Sequence, residues 1–256
     1  MDPLVDEGWL ARELGTRRWT QVRTVAESGS TNADLAALAR AGAPSGLVLV
    51  ADHQTAGRGR FARVWTAPPG ASLAVSVLLR PPAVPAQRWL WLPLLAGLAV
   101  VDGLRAAGGV DARLKWPNDV LIGGRKVCGI LAERVESAEP AAVVGMGINT
   151  LLAEADLPVP TATSLAIEGS TASPAEVARA VLLAFDAWYG RWLAGEDLRE
   201  AYAAACDTVG RTVRVELSPG DAPEGAAVGV DAEGRLLVRT ASGTRAFSAG
   251  DVWHLR

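Results

Sequence analysis

Only two of the chain's 25 lysine and arginine residues are lysine, Lys115 and Lys126. They lie close together, within Lys115-Trp116-Pro117-Asn118-Asp119 and Gly124-Arg125-Lys126-Val127-Cys128-Gly129-Ile130. Lysine is a compact charge on a flexible stem and suits a single oxyanion, whereas arginine presents a planar fork. A chain that uses arginine for generic charge and keeps lysine in one place points to chemistry there. Two readings stay open from these residues. Lys126 can face an activated acyl group, or a Lys and an Asp on adjacent strands can form a plain structural ion pair.

Three other segments carry chemistry. Gly57-Arg58-Gly59-Arg60-Phe61-Ala62-Arg63-Val64-Trp65 alternates arginine with small residues. Glycine lets the backbone approach an anion, and arginine offers paired donors to phosphate or carboxylate. The same run also reads as a solvated loop or an Arg-Gly nucleic-acid contact. Its position between two apolar strands favours a flap over a pocket. Ser30-Thr31-Asn32 is either a helix cap or a polar ligand site at a helix N-terminus. Gly145-Met146-Gly147-Ile148-Asn149 ends a strand with glycines that admit a flat ligand, or is an ordinary bulge. It is not a dinucleotide fingerprint, since no third glycine opens a helix.

Several classes are disfavoured. The two histidines, His53 and His254, have no partner at ligand spacing, which argues against a histidine metal site. No Gly-x-Ser-x-Gly elbow supports a hydrolase. The net charge of −3 offers no global field toward DNA or an acidic membrane. Cys128 and Cys206 lack metal spacing, and Cys128 reads as a buried free thiol of a reducing, cytoplasmic setting. The acidic N-terminus has no signal pattern. The apolar stretch Trp89 to Val101 is interrupted by Pro93 and is short for a membrane span.

These segments need a scaffold. At 256 residues one large domain, or a medium and a small one, is expected. Strands are expected at Val22 to Glu27, Leu47 to Ala51, Ser72 to Leu79, Arg113 to Trp116, Val120 to Ile122, Val127 to Arg134 and Ala142 to Met146. Gly123-Gly124 suits a hairpin turn. The first helix runs Ala33 to Arg40, with Asp34 three residues after Thr31 as in a capping box. Further helices are expected over Arg88 to Ala107, Pro174 to Leu193 and Asp197 to Ala205. From Arg211 the period shortens to strands at Thr212 to Leu217, Ala227 to Val230 and Leu236 to Arg239. Turns at Ser218-Pro219-Gly220 and Asp231 to Gly234 separate them, as in a small barrel-like module. The boundary is expected near Asp207, giving a catalytic domain over 1–206 and a C-terminal domain over 207–256.

Taken in order, the motifs resemble the biotin–protein ligases. The matching stretches are Ser30-Thr31-Asn32, Gln54-Thr55-Ala56-Gly57-Arg58-Gly59-Arg60 through Trp65, Lys115 to Asp119, Arg125-Lys126 with Gly129-Ile130-Leu131, and Gly145 to Asn149. Each is short; their order and spacing make the match specific. The resemblance implies an α+β fold: a catalytic domain with a mixed sheet, related to class II aminoacyl-tRNA synthetases, plus a small SH3-like β-barrel at the C-terminus. It implies ATP and biotin as substrates with Mg²⁺, a biotinyl-5′-adenylate intermediate, and transfer to one lysine of a biotin carboxyl carrier domain.

Carried over by position, Ser30, Thr31, Asn32 and Gln54 are expected to contact biotin. Arg58, Gly59 and Arg60 belong to a loop that closes over biotin and the phosphates, and Arg63 is expected at the pyrophosphate. Lys126 is expected beside the biotin carboxylate and the α-phosphate. Trp65 either packs near adenine or anchors the loop. Asn118, Asp119 and Asn149 are expected as nucleotide or secondary contacts, with Asp119 the candidate base for lysine acylation. Lys126, Arg60 and Asp119 form the expected catalytic group.

Some family members carry an N-terminal helix-turn-helix. The stretch before Val22 is short for one, so the expectation is a ligase without DNA binding. Either a monomer or a homodimer is compatible with the sequence. The nearest rival is a lipoate–protein ligase or octanoyltransferase, against which the Arg-Gly loop and Lys-Trp-Pro-Asn-Asp segment favour biotin. A nucleic-acid-binding protein using the Arg-Gly loop is disfavoured by the acidic balance.

Overall fold

The structure is a computed structural model, described here over residues 2–15, 18–81, 84–217 and 221–255. The turn expected at 218–220 lies outside the described residues. Seven strands form the main sheet: β1 (Gln21–Val25), β2 (Leu47–Ala51), β3 (Ser72–Leu79), β4 (Ala112–Lys115), β5 (Asp119–Ile122), β6 (Arg125–Val135) and β7 (Ala141–Asn149). Their order is β1-β2-β3-β7-β6-β5-β4. Only β1 and β2 run parallel, so the sheet is mixed.

Helices cover both faces. On one side lies α2 (Thr31–Arg40), whose Leu35, Ala36 and Ala39 pack with Leu47, Leu49, Leu78 and Val143. On the other lie α3 (Trp91–Gly108) and α4 (Pro174–Leu193), over Val48, Val50, Leu73, Val75 and Val77. This double cover explains the continuous apolar run of β2 and the weak alternation of β3, where every residue is buried. A short helix, α1 (Glu7–Leu14), packs against α4 and β1.

Helix ends differ in part from the sequence reading. Ser30 is the N-cap of α2, accepting from the Ala33 amide, and Thr31 is already helical. Asp34 therefore closes no box with Thr31; its carboxylate takes the Ser28 hydroxyl at 2.7 Å. A 3₁₀ turn, Ala86–Leu90, precedes α3. Pro93 lies in the first turn of α3, where no intrahelical bond is lost, so it does not interrupt the run. The 86–108 stretch is long and apolar enough to cross a membrane, yet 67% of its apolar window is buried inside the protein. At α4, Ser173 and Glu176 form a full capping box with Pro174 following. The last helix, α5 (Arg199–Ala205), starts later than expected because Asp197 turns back to hold Arg199.

A second, all-antiparallel sheet contains β8 (Thr212–Glu216), β9 (Glu224–Val230), β10 (Leu236–Thr240), β11 (Gly243–Phe247) and β12 (Asp251–His254), in the order β11-β10-β9-β8-β12. Val213, Val215, Ala227, Val238, Phe247 and Val252 fill its interior and join the main core. The overall class is α+β with a small SH3-like C-terminal sheet. The segment that leads into the second sheet is anchored on the edge strand of the first. Leu114 of β4 bridges Cys206, the Asp207 amide donates to Leu114 O at 2.8 Å, and Arg113 pairs with Asp207 at 3.0 Å.

Candidate active site

A cleft of about 370 Å³ opens along β5, β6 and β7 and is walled on its far side by β12. Its floor is polar because Ser30-Thr31-Asn32 opens α2 directly over the sheet. Gln54 Oε1 accepts from both the Thr31 amide, at 2.8 Å, and the Thr31 hydroxyl, at 3.0 Å. Ser76 Oγ lies 2.7 Å from Thr31 Oγ1 and from Asn32 Oδ1. Its single proton can serve only one of these oxygens, leaving acceptor capacity for a ligand. Asn32 Nδ2 donates to Glu133 Oε2 at 2.8 Å and to Leu131 O at 3.1 Å. Gly145 makes this possible, since a methyl group there would collide with Asn32 Oδ1.

The wall is cationic. Lys126 Nζ lies 2.6 Å from Asp119 Oδ1. Asp119 stands opposite Gly129 across the β5–β6 ladder, not opposite Lys126, so the lysine stem runs diagonally over Gly129 to reach it. A methyl group at Gly129 would sit 3.2 Å from Lys126 Cε and 3.1 Å from the Trp65 ring. A bulge between Val120 and Leu121 re-aims the end of β6 at this point. The Lys126 ammonium lies 5.8 Å from the Trp65 ring centroid, and Lys115 lines the same cleft.

The Arg-Gly loop arches over the opening. Arg60 Nη1 donates to Asn118 Oδ1 at 3.0 Å and to Gly250 O at 3.4 Å. Burial draws the Arg60 pKa down from the ordinary arginine value, and the charges of Asp251 and Asp119 oppose that shift. Arg58 pairs with Glu133 at 3.2 Å, and Arg63 pairs with Asp251 of β12. Between them Phe61 and Ala62 hold positive φ values of 55° and 58°, a backbone state that costs non-glycine residues free energy. Trp65 lies flat beside Gly147, where a methyl group would approach its ring to 2.7 Å.

Of the residues expected at the site, Ser30, Thr31, Asn32, Gln54, Arg58, Gly59, Arg60, Arg63, Trp65, Asn118, Asp119 and Lys126 come together in this cleft. Asn149 does not. It is buried, and its Nδ2 donates to Thr163 O at 2.9 Å beyond the end of the cleft. Cys128 lies just behind the wall, where burial pushes its thiol pKa up and leaves it unreactive. Among the described residues no group of three His, Cys, Asp or Glu side chains gathers as a metal site.

The chain matches the biotin/lipoate A/B protein ligase family model over residues 25–149 and the biotin protein ligase C-terminal domain model over residues 208–255. A biotin–[acetyl-CoA-carboxylase] ligase of Mycobacterium tuberculosis is 45% identical over 99% of this chain and 97% of the relative. This chain belongs to the biotin–protein ligases. A bifunctional ligase/repressor BirA of Bacillus spizizenii is 38% identical over 84% of this ligase and 68% of the relative. Biotin protein ligase from Aquifex aeolicus in complex with biotin and ATP superposes with a TM-score of 0.77, at 29% identity, covering 93% of this ligase and 99% of that chain. The Leishmania major enzyme in complex with biotinyl-5-AMP has a TM-score of 0.63 at 25% identity, covering 90% and 99%.

The cleft of this ligase also brings in residues that sequence reasoning missed. Glu133 follows Gly129 and Leu131 at alternate positions of β6, so a carboxylate on the cleft face was readable from strand period. Asp251 and Trp253 of β12 line the cleft from the other sheet, and no local pattern links them to the Arg-Gly loop. Behind them Thr208 Oγ1 accepts from the Trp116 amide at 3.1 Å and lies 3.0 Å from His254 Nε2. Burial, then Lys115 and Arg211, pull the His254 pKa down to about 4.

Proposed function

We propose that this cleft condenses biotin with ATP and then hands the biotinyl group to a lysine of a biotin carboxyl carrier domain. The observation that supports the reading is the meeting, in one cleft, of a polar floor with a cationic wall and an arginine-bearing lid. Ser30, Thr31, Asn32 and Gln54 receive the ring system of biotin, whose ureido group needs both donors and acceptors. Trp65, lying against Gly147, provides an apolar side wall.

In the first step the biotin carboxylate attacks the α-phosphorus of ATP. A P–O bond forms, the bond to the β-phosphate oxygen breaks, and pyrophosphate leaves. Two anions must approach, so fixed cations at the reacting atoms lower the barrier. Lys126 stands at the carboxylate and α-phosphate, with Asp119 steering its ammonium. Arg58 and Arg60 cover the phosphates, and Arg63 takes the pyrophosphate. Asn118 fixes Arg60 in that position. Mg²⁺ enters with the nucleotide as part of the substrate, held mainly by phosphate oxygens and water.

In the second step the carrier's lysine amine attacks the acyl carbon, AMP leaves, and the amine proton must be removed. Asp119 is the carboxylate nearest this chemistry and is assigned that proton. Asn149 acts at one remove, through the chain segment that it holds. The catalytic unit is assigned to 1–206 and the small C-terminal unit to 207–256. The second family match, which begins at residue 208, supports that division.

The test is pyrophosphate release with ATP and Mg²⁺ in the presence of biotin or of lipoate. Release with biotin alone is expected; release with lipoate and none with biotin overturns the proposal.

A further inference from the structure

β6 and β7 pair from Cys128 opposite Ile148 to Val135 opposite Ala141. Beyond Cys128 they part, and Arg125 to Val127 have no β7 partner. Lys126 therefore lies where the sheet would otherwise show an open seam. The segment 161–165 fills it. The Lys126 amide donates to Thr161 O at 2.7 Å, and the Thr163 amide donates to Lys126 O at 2.8 Å. On the other side the Leu165 amide donates to Asn149 O at 3.0 Å, and Asn149 Nδ2 donates to Thr163 O at 2.9 Å.

Thr163 is the centre of this wedge. It is fully buried, and each of its polar groups is used. Its amide holds Lys126, its carbonyl is held by Asn149, and its hydroxyl donates to Glu168 Oε1 at 2.6 Å. The same Glu168 oxygen accepts from Arg125 Nη2 at 2.9 Å. The residue before Lys126 is thus tied to the residue that carries its main chain, through one carboxylate.

We infer that Thr163 is a positioning residue for the first chemical step: its hydroxyl, through Glu168 and Arg125, locks the wedge that sets where the Lys126 ammonium stands. The inference rests on the role given to Lys126 above. A lysine stem has four rotatable bonds and offers little rigidity of its own, so its anchor must supply it. A shift of about 1 Å at a reacting group can cost about 100-fold in rate. The biotin floor is built from α2, Gln54 and Ser76, none of which touches the wedge. Loss of the lock therefore acts mainly on kcat and leaves the floor that receives the biotin ring system intact.

Two substitutions of opposite character test this. Thr163→Val keeps the shape and removes the hydroxyl; Thr163→Ser keeps the hydroxyl and removes the methyl group. In biotin-dependent pyrophosphate release, T163V is expected to lower kcat about tenfold with KM for biotin changed by less than about twofold. T163S is expected to stay near wild type, and Glu168→Gln to fall with T163V. A wild-type kcat in T163V overturns the inference. So does an equal loss in T163V and T163S that follows their melting temperatures, because that pattern is packing. Lys126→Ala in the same assay separates the two failures. An active K126A removes the role of the lysine and the inference together, whereas an inactive K126A beside a fully active T163V removes the inference alone.

Discussion

Lys126 and Asp119 meet at 2.6 Å by crossing a position that has no side chain, Gly129. The pair is partly exposed, with side-chain accessibilities of 35% and 24%, so its contribution to folding is small. Its consequence is directional: the carboxylate points the ammonium along the cleft. Lys126→Ala is expected to leave the circular dichroism spectrum unchanged and to lower pyrophosphate release by about 100-fold or more. A normal rate would show that the reaction centre lies elsewhere.

Arg60 is the loop arginine fastened to both sheets, through Asn118 and Gly250. Arg60→Gly removes both ties and a half-buried cation. The adenylate is then expected to escape faster, which a filter-binding chase reads directly. Acylation of free amines added to the solution should rise in step. Retention equal to wild type would refute the closing role of the loop.

Gly145→Ala places a methyl group against Asn32 Oδ1. The amide cannot retreat without breaking its bonds to Glu133 and Leu131 O. Calorimetric titration is expected to show biotin affinity lowered about tenfold or more, since misplacing polar groups that recognise a ligand costs about 1–3 kcal/mol. The melting temperature should fall as well, because α2 rests on the same contact.

His254 gives a pH prediction with a definite sign. Its pKa in the fold is about 4, below the ordinary 6.5, because partial burial disfavours the charged ring and the charges of Lys115 and Arg211 add to that effect. The unfolded chain therefore binds a proton that the folded chain refuses. Stability from this group is complete above pH 6.5 and is lost as pH falls toward 4. Allowing for solvent screening, the loss is of order 1 kcal/mol. Urea midpoints measured at pH 7 and pH 5 should differ less in His254→Gln than in wild type.

Much of the scaffold was legible because burial wrote itself into the sequence. Leu47 to Ala51 is uniformly apolar since helices cover both faces, and Pro174 after Ser173 announces a helix start. The polar floor and cationic wall were legible as motifs at fixed order. What escaped was long-range. β11 buries only Phe247 of its five residues, so it carries no alternation, and β12 is four residues long. The pairing of Arg63 with Asp251 joins positions with no shared pattern. Asn149 was read as facing a ligand, but its carboxamide serves the chain that follows it. A polar side chain at a strand end looks the same in sequence whether its partner is a ligand or a carbonyl.

Both lysines of this chain line the cleft, and every other fixed side-chain cation is arginine. Apart from its N-terminus, the molecule thus presents alkyl amines only at the cleft, where the Lys126 side chain is partly exposed. Beyond the N-terminal amine, succinimidyl dyes, aldehyde fixatives and amine-coupling resins can react only at the cleft lysines, so their labelling there reports on occupancy of the cleft. The same scarcity means that an adenylate escaping into solution meets an exterior whose side-chain cations are guanidinium groups, which it acylates poorly.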